Sequence, residues 1–195
     1  LNTFVLSLIR TADPNASAQT KAADVAMLAS IEERIDNDFK GSPDQLLQLR
    51  VTVGDAYRNR GEVQAARRVF QRAVDEAAPH IAADDLMLLT ARVRASDTRL
   101  IVSTAASEQL DRAIAILRNK SQRDTAAAEL LLDALLNRNE LQFNFGVPAH
   151  ALPERRFDII QEANELALRH FGEGSRQHLR VVPAYADLAS VVKPD

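Results

Sequence analysis

The chain has 195 residues, of which 46% are apolar and 26% charged, with a formal charge of -3. This is enough apolar content for a folded core, and the balance of charge argues against a nucleic-acid binder, which needs clustered positive charge. The absence of cysteine excludes disulfides, thiolate nucleophiles and cysteine-based metal sites, and no apolar run reaches the roughly 18 residues of a membrane span.

Aromatic residues make up only 5% of the chain. Alanine and leucine are plentiful, which suits close-packed helices better than sheets. The chain opens on Leu1, already inside an apolar helical pattern, and reads as a segment of a longer protein. Residues 1–10 place Leu1, Phe4, Val5, Leu8 and Ile9 on one helical face, and Asp13-Pro14-Asn15 ends that helix. A second helix is predicted over 18–39, with Ala22, Val25, Ala26, Ala29, Ile31 and Ile35 as its apolar markers. Gly41-Ser42-Pro43-Asp44 is a turn leading into a helix, with Ser42 as N-cap and Pro43 in the first helical position.

The next stretch, Leu46–Pro79, is two amphipathic helices joined at Gly61. Small and large residues alternate: Gly54 and Tyr57 on the first helix, then Ala66, Phe70 and Ala73 on the second. Small side chains let two helix backbones approach, and the rings fill the space beside them. Arg50-x2-Val53-Gly54-x2-Tyr57, then Ala66-x3-Phe70, then Pro79 resembles one tetratricopeptide (TPR) repeat. Arg50 stands where that family places an aromatic residue, and Val53 where it places leucine. Arg50 is expected at a helix edge, its stem packed and its charge in water.

Beyond Pro79 the alternation continues more loosely. Helices are predicted over 84–101 and 105–118, the second carrying Ala106, Leu110 and Ala113. Another pair follows over 122–138 and 154–171, the latter with Phe157, Ile160, Ala163, Leu166 and Ala167. The intervals Ala73–Ala113 and Ala113–Ala163 are both longer than the ~34-residue repeat, so longer helices or connections are expected. Ala163–His178 is similar to the end of a repeat in kinesin-light-chain-like TPRs. Leu179–Val192 supplies a last apolar helix, kinked at Pro183 or starting near it, with no partner in the chain.

The resemblance implies an all-α fold: a right-handed superhelical solenoid of TPR-like helix-turn-helix repeats. Residues 1–195 form one such domain of about four hairpins, with the best repeat at 46–79. Degenerate repeats are expected at 18–39, 84–118 and 122–171, and a terminal helix at 179–192. It also implies a protein or peptide ligand, held on the concave surface of the first helices. There it assigns Gln48, Val51, Asp55, Arg58 and Asn59 to the groove. Val51 and Asp55 stand where chaperone-binding TPRs hold a terminal carboxylate with lysine and asparagine, which argues against that ligand.

Other features have two readings. The arginines Arg58, Arg60, Arg67, Arg68 and Arg72 form either a solvated face balanced by Asp55, Glu62, Asp75 and Glu76, or a dock for an acidic partner. The loop Leu141–Pro153, with Phe143, Phe145 and Val147, either packs on itself or contacts a ligand. The four histidines lack metal-ligand spacing, and Asp84-Asp85 reads as a helix start. No nucleophile, base or metal set is present in the sequence, so neither catalysis nor a cofactor is expected.

Phe4–Pro14 (FVLSLIRTADP) resembles the phrase preceding TPR arrays in bacterial serine/threonine protein kinases, where a kinase domain and a membrane helix come first. That resemblance implies a sensor or docking arm outside the inner membrane. Competing expectations are an oligomerisation module, a homodimer formed through the last helix, and the helical sensor region of a transcription regulator or ATPase.

Overall fold

The computed structural model describes residues 18–96, 104–144 and 152–192, with side chains for 22–96, 107–140 and 155–192. The predicted helix over 1–10 and the Asp-Pro phrase lie outside the described residues. Among those described, the fold is all-α, with nine helices and no strand. They are α1 (Ala18–Asp38), α2 (Pro43–Asn59), α3 (Val63–Ala77), α4 (Leu86–Ala95), α5 (Thr104–Lys120), α6 (Thr125–Asn144), α7 (Leu152–Phe171), α8 (Arg176–Leu179) and α9 (Val182–Val192). The chain divides into two compact units, Leu1–Ala95 and Ser96–Asp195. The expected 84–118 pair falls across that boundary, with α4 in the first unit and α5 in the second.

Local chemistry sets the helix ends. Ser42 caps α2 reciprocally: its Oγ accepts from the Gln45 amide at 3.4 Å, and Gln45 Oε1 accepts from the Ser42 amide at 3.2 Å. Pro43 at the first position loses no hydrogen bond the helix needs. The turn to α3 runs through Gly61 at φ 79°, a left-handed conformation that side chains resist. Asp85 caps α4, its Oδ1 accepting from the Met87 and Leu88 amides at 2.9 Å. Asp124 caps α6 in the same way.

In the first unit α2 and α3 form a helical hairpin, α1 packs on α2, and α4 packs on both α3 and α2. α3 buries Ala66, Val69, Phe70, Ala73, Val74 and Ala77, a continuous stripe at helical spacing. Gly54 lies against Phe70: a Cβ at Gly54 would sit 2.5 Å from Phe70 Cε1. The small residue is therefore what allows this crossing.

α1 differs from its expected packing. Ala22, Ala26 and Ala29 are exposed, and the buried row is Leu28, Ile31 and Ile35. The alanines share the spacing of Ala66, Phe70 and Ala73, but spacing does not say which face meets a neighbour.

Arg50 also departs from expectation. It is 3% exposed, and its charge is held inside the protein rather than in water. Its Nε donates to Glu76 Oε2 at 2.6 Å, and its Nη2 donates to Asp36 Oδ1 at 2.9 Å and to Glu76 Oε1 at 3.0 Å. One guanidinium thus joins α1, α2 and α3.

The neighbouring arginines are met largely by α1. Arg60 pairs with Asp24 at 3.2 Å, Arg68 with Glu32 at 3.2 Å, and Arg72 with Asp36 at 2.7 Å. Of the acids expected to balance the cluster, Glu76 lies 3.4 Å from Arg72, whereas Asp75 accepts from Gln71.

Tyr57 is buried, and its hydroxyl is pushed up to about 12 from 10.0, by burial first and then by the Glu32 carboxylate as a negative neighbour and hydrogen-bond partner. The folded state holds this proton more tightly than the unfolded chain does. Stability present below pH 10 should therefore fall as pH rises from 10 toward 12, by on the order of 2 kcal/mol. Absorbance titration at 295 nm checks this: Tyr57 should ionise near 12. Ionisation near 10 in the folded protein would remove the assigned environment.

In the second unit α5, α6 and α7 pack successively, around Leu110, Ala113, Leu117, Leu131, Leu135, Ile160 and Ala163. α6 continues through Asn144, so Leu141–Asn144, expected in a loop, is helical. The last apolar segment is interrupted. α8 is one turn, and α9 starts with Pro183 in its first turn, where proline does not break the ladder. α9 is not without a partner. It packs on α7, burying Leu188 and stacking Tyr185 on Phe157 at 5.7 Å between centroids, with Val181 buried just before its first residue.

Candidate protein-binding face

The residues expected to line a groove separate by burial. Gln48, Arg58 and Asn59 are exposed on α2. Val51 is 5% exposed and belongs to the core, so it cannot serve as a ligand contact. Asp55 is half-buried and forms an ion pair with Arg94 of α4. The reason is that α4 packs beside α2 and covers this flank.

Arg94 is the residue that sequence reasoning missed. Its guanidinium carbon lies 6.0 Å from the Phe70 ring centroid, so the cation covers the ring that Gly54 admits while meeting Asp55. Burial pushes the Asp55 carboxyl above its ordinary value, outweighing the opposing pull of Arg94 and then Arg58. Asp55 and Arg94 are 39 residues apart. Only knowing that α2 and α4 are neighbours could have paired them.

The exposed residues of the face are therefore Gln48, Arg58 and Asn59 on α2, and Met87 of the neighbouring α4 is exposed as well. Thr52 and Thr90 each donate to the carbonyl four residues back, Gln48 and Leu86, at 2.7 Å. Such a mixture of amide, guanidinium and thioether suits a peptide, whose backbone needs donors and acceptors and whose side chains need some apolar contact.

Phe143 lies in the last turn of α6, with its side chain outside the described residues, as is the whole of Phe145. His178 belongs to a turn: its Nδ1 accepts from the Gly174 amide at 3.1 Å. Among the described residues no group of three His, Asp or Glu side chains could hold a metal ion. No helix among them is long and apolar enough to cross a membrane. No protein-family model, curated protein or solved structure matches this chain.

Proposed function

We propose that the chain is a TPR-like helical repeat module whose work is non-catalytic protein or peptide binding. The observation that carries this is the direction of alternate helices. Asp24 of α1 meets Arg60 in the turn before α3, and Glu32 and Asp36 meet Arg68 and Arg72 of α3, each 36 residues on, so α1 and α3 run parallel. In the second unit α5 and α7 are joined by Arg118 and Glu162, and the direction is given by Glu129 and Asp133 of α6, which meet Gln177 of α8 and Arg180 at its end in ascending order. Antiparallel neighbours with parallel second neighbours are what stacked helical hairpins produce. The groove reading assigns the ligand to α2 and α4.

The test uses peptides selected from a displayed library against the full chain. The variant Gln48→Arg, Asn59→Arg, Met87→Asp is expected to lose binding at least about tenfold, with stability changed by no more than about 0.5 kcal/mol per exposed site. Glu33→Arg on exposed α1 surface should bind as the parent does. Unchanged binding by the triple variant would remove the face from consideration.

A signalling parent of the serine/threonine kinase type remains part of the proposal through the Phe4–Pro14 resemblance. A second reading, self-association, is favoured by the exposure of Leu179, Val182 and Val191 about the last helix. It predicts a light-scattering mass of about 43 kDa, twice the 21.5 kDa chain. A 21.5 kDa species at high concentration would end it.

A further inference from the structure

We propose that α1 is an electrostatic latch, a helix that releases from the α2–α3 hairpin as a unit when ionic strength rises. Its attachment combines a short apolar row, which joins the hairpin core, with a large share of charge. Among residues 22–38 of α1, Leu28, Ile31 and Ile35 are the buried apolar side chains, with Val25 and Met27 partly buried beside them. α3, with 15 residues, buries six. Against this, three carboxylates of α1 reach across: Asp24 to Arg60, Glu32 to Arg68 and Arg72, Asp36 to Arg50 and Arg72. Glu32 also takes the Tyr57 hydroxyl.

Several of these groups are partly exposed, so mobile ions can reach them. Asp36 and Arg72 keep about a third of their side-chain surface. The Debye length falls from about 30 Å at 0.01 M salt to about 3 Å at 1 M, so the exposed ends at Asp36, Arg68 and Arg72 are screened most, and the buried ends at Arg50 and Arg60 much less. Release strands no charge. The three carboxylates return to water, and Arg50 keeps Glu76, its partner on the hairpin itself. Each hairpin cation can rehydrate once α1 has left. Opening α1 is therefore a smaller event than opening the hairpin, whose joint is the apolar contact of Gly54, Tyr57, Val69 and Phe70.

Amide hydrogen exchange on the full chain tests this across sodium chloride from about 0.01 to 1 M, the range over which screening changes most. Protection of α1 amides is expected to fall on the order of tenfold, while α3 amides change less than about twofold. The variant D24N, E32Q, D36N should exchange fast in α1 at all salt concentrations and retain the parent's α3 protection. Common exchange of α1 and α3 at every salt concentration in the parent chain would overturn the latch, as would salt-independent α1 protection. If the triple variant fails to fold, the parent salt series still decides.

Discussion

The Asp36→Asn, Glu76→Gln double variant is expected to lose about 3–5 kcal/mol in denaturant unfolding. Arg50→Met is expected to cost roughly 1 kcal/mol. The order follows from which group each change leaves behind. The double variant removes both anions from a guanidinium that keeps only 3% of its surface, and arginine cannot discharge itself by losing a proton. Arg50→Met leaves two carboxylates that keep about a third of their side-chain surface and can rehydrate. Methionine meanwhile fills the stem's place with apolar atoms. If Arg50→Met proved the costlier change, the network's stability would have to come from arginine packing rather than from paired charge.

Gly54→Leu is expected to destabilise by about 1–3 kcal/mol, and Gly54→Ala should also be unfavourable. In an ordinary helix interior alanine would gain roughly 0.5–1 kcal/mol over glycine. Here the first added carbon would meet three atoms of the Phe70 ring at 2.5 to 2.8 Å. Phe70 is buried and Arg94 lies over it, so the ring has nowhere to retreat. Gly54→Ala combined with Phe70→Leu should recover part of the loss, because the clash is with the ring. A stabilised Gly54→Ala single variant would mean that the helices separate without cost.

The parts of this fold legible in the sequence are those governed by one or two adjacent elements. Ser42-Pro43 announced a capped helix because capping chemistry is local, and Asp85 did so for the same reason. Gly54 opposite Phe70 was legible because a short turn forces those helices together. The charge network was not. Arg50's partners are 14 and 26 residues away on different helices. Nothing in the local pattern distinguishes an arginine at a helix edge from one closing three helices. Val51 belongs to the core and Asp55 pairs with Arg94 for a related reason: a helical wheel shows the faces of α2 but not which of them a neighbour covers. The terminal helix looked unpartnered because Tyr185 and Phe157 meet only through the return of the chain at Gly172 and Gly174.

The α1 row of Asp24, Leu28, Glu32 and Asp36 behaves as a ruler laid obliquely across a joint. Its steps of four residues overshoot a helical turn by about 40°, so successive positions drift around the cylinder. Asp24 keeps 27% of its side-chain surface, Leu28 keeps none, Glu32 10% and Asp36 33%. The row thus enters the joint, passes its closest approach and leaves again. At the closest approach the chain has placed its one apolar member, Leu28, and it carries carboxylates on either side. A carboxylate at position 28 would find no water, and Gln64, 36 residues on, offers no countercharge. Beyond Asp36 the same drift turns the row toward solvent, and the grip passes to Phe39, which packs on the core from just past the helix end.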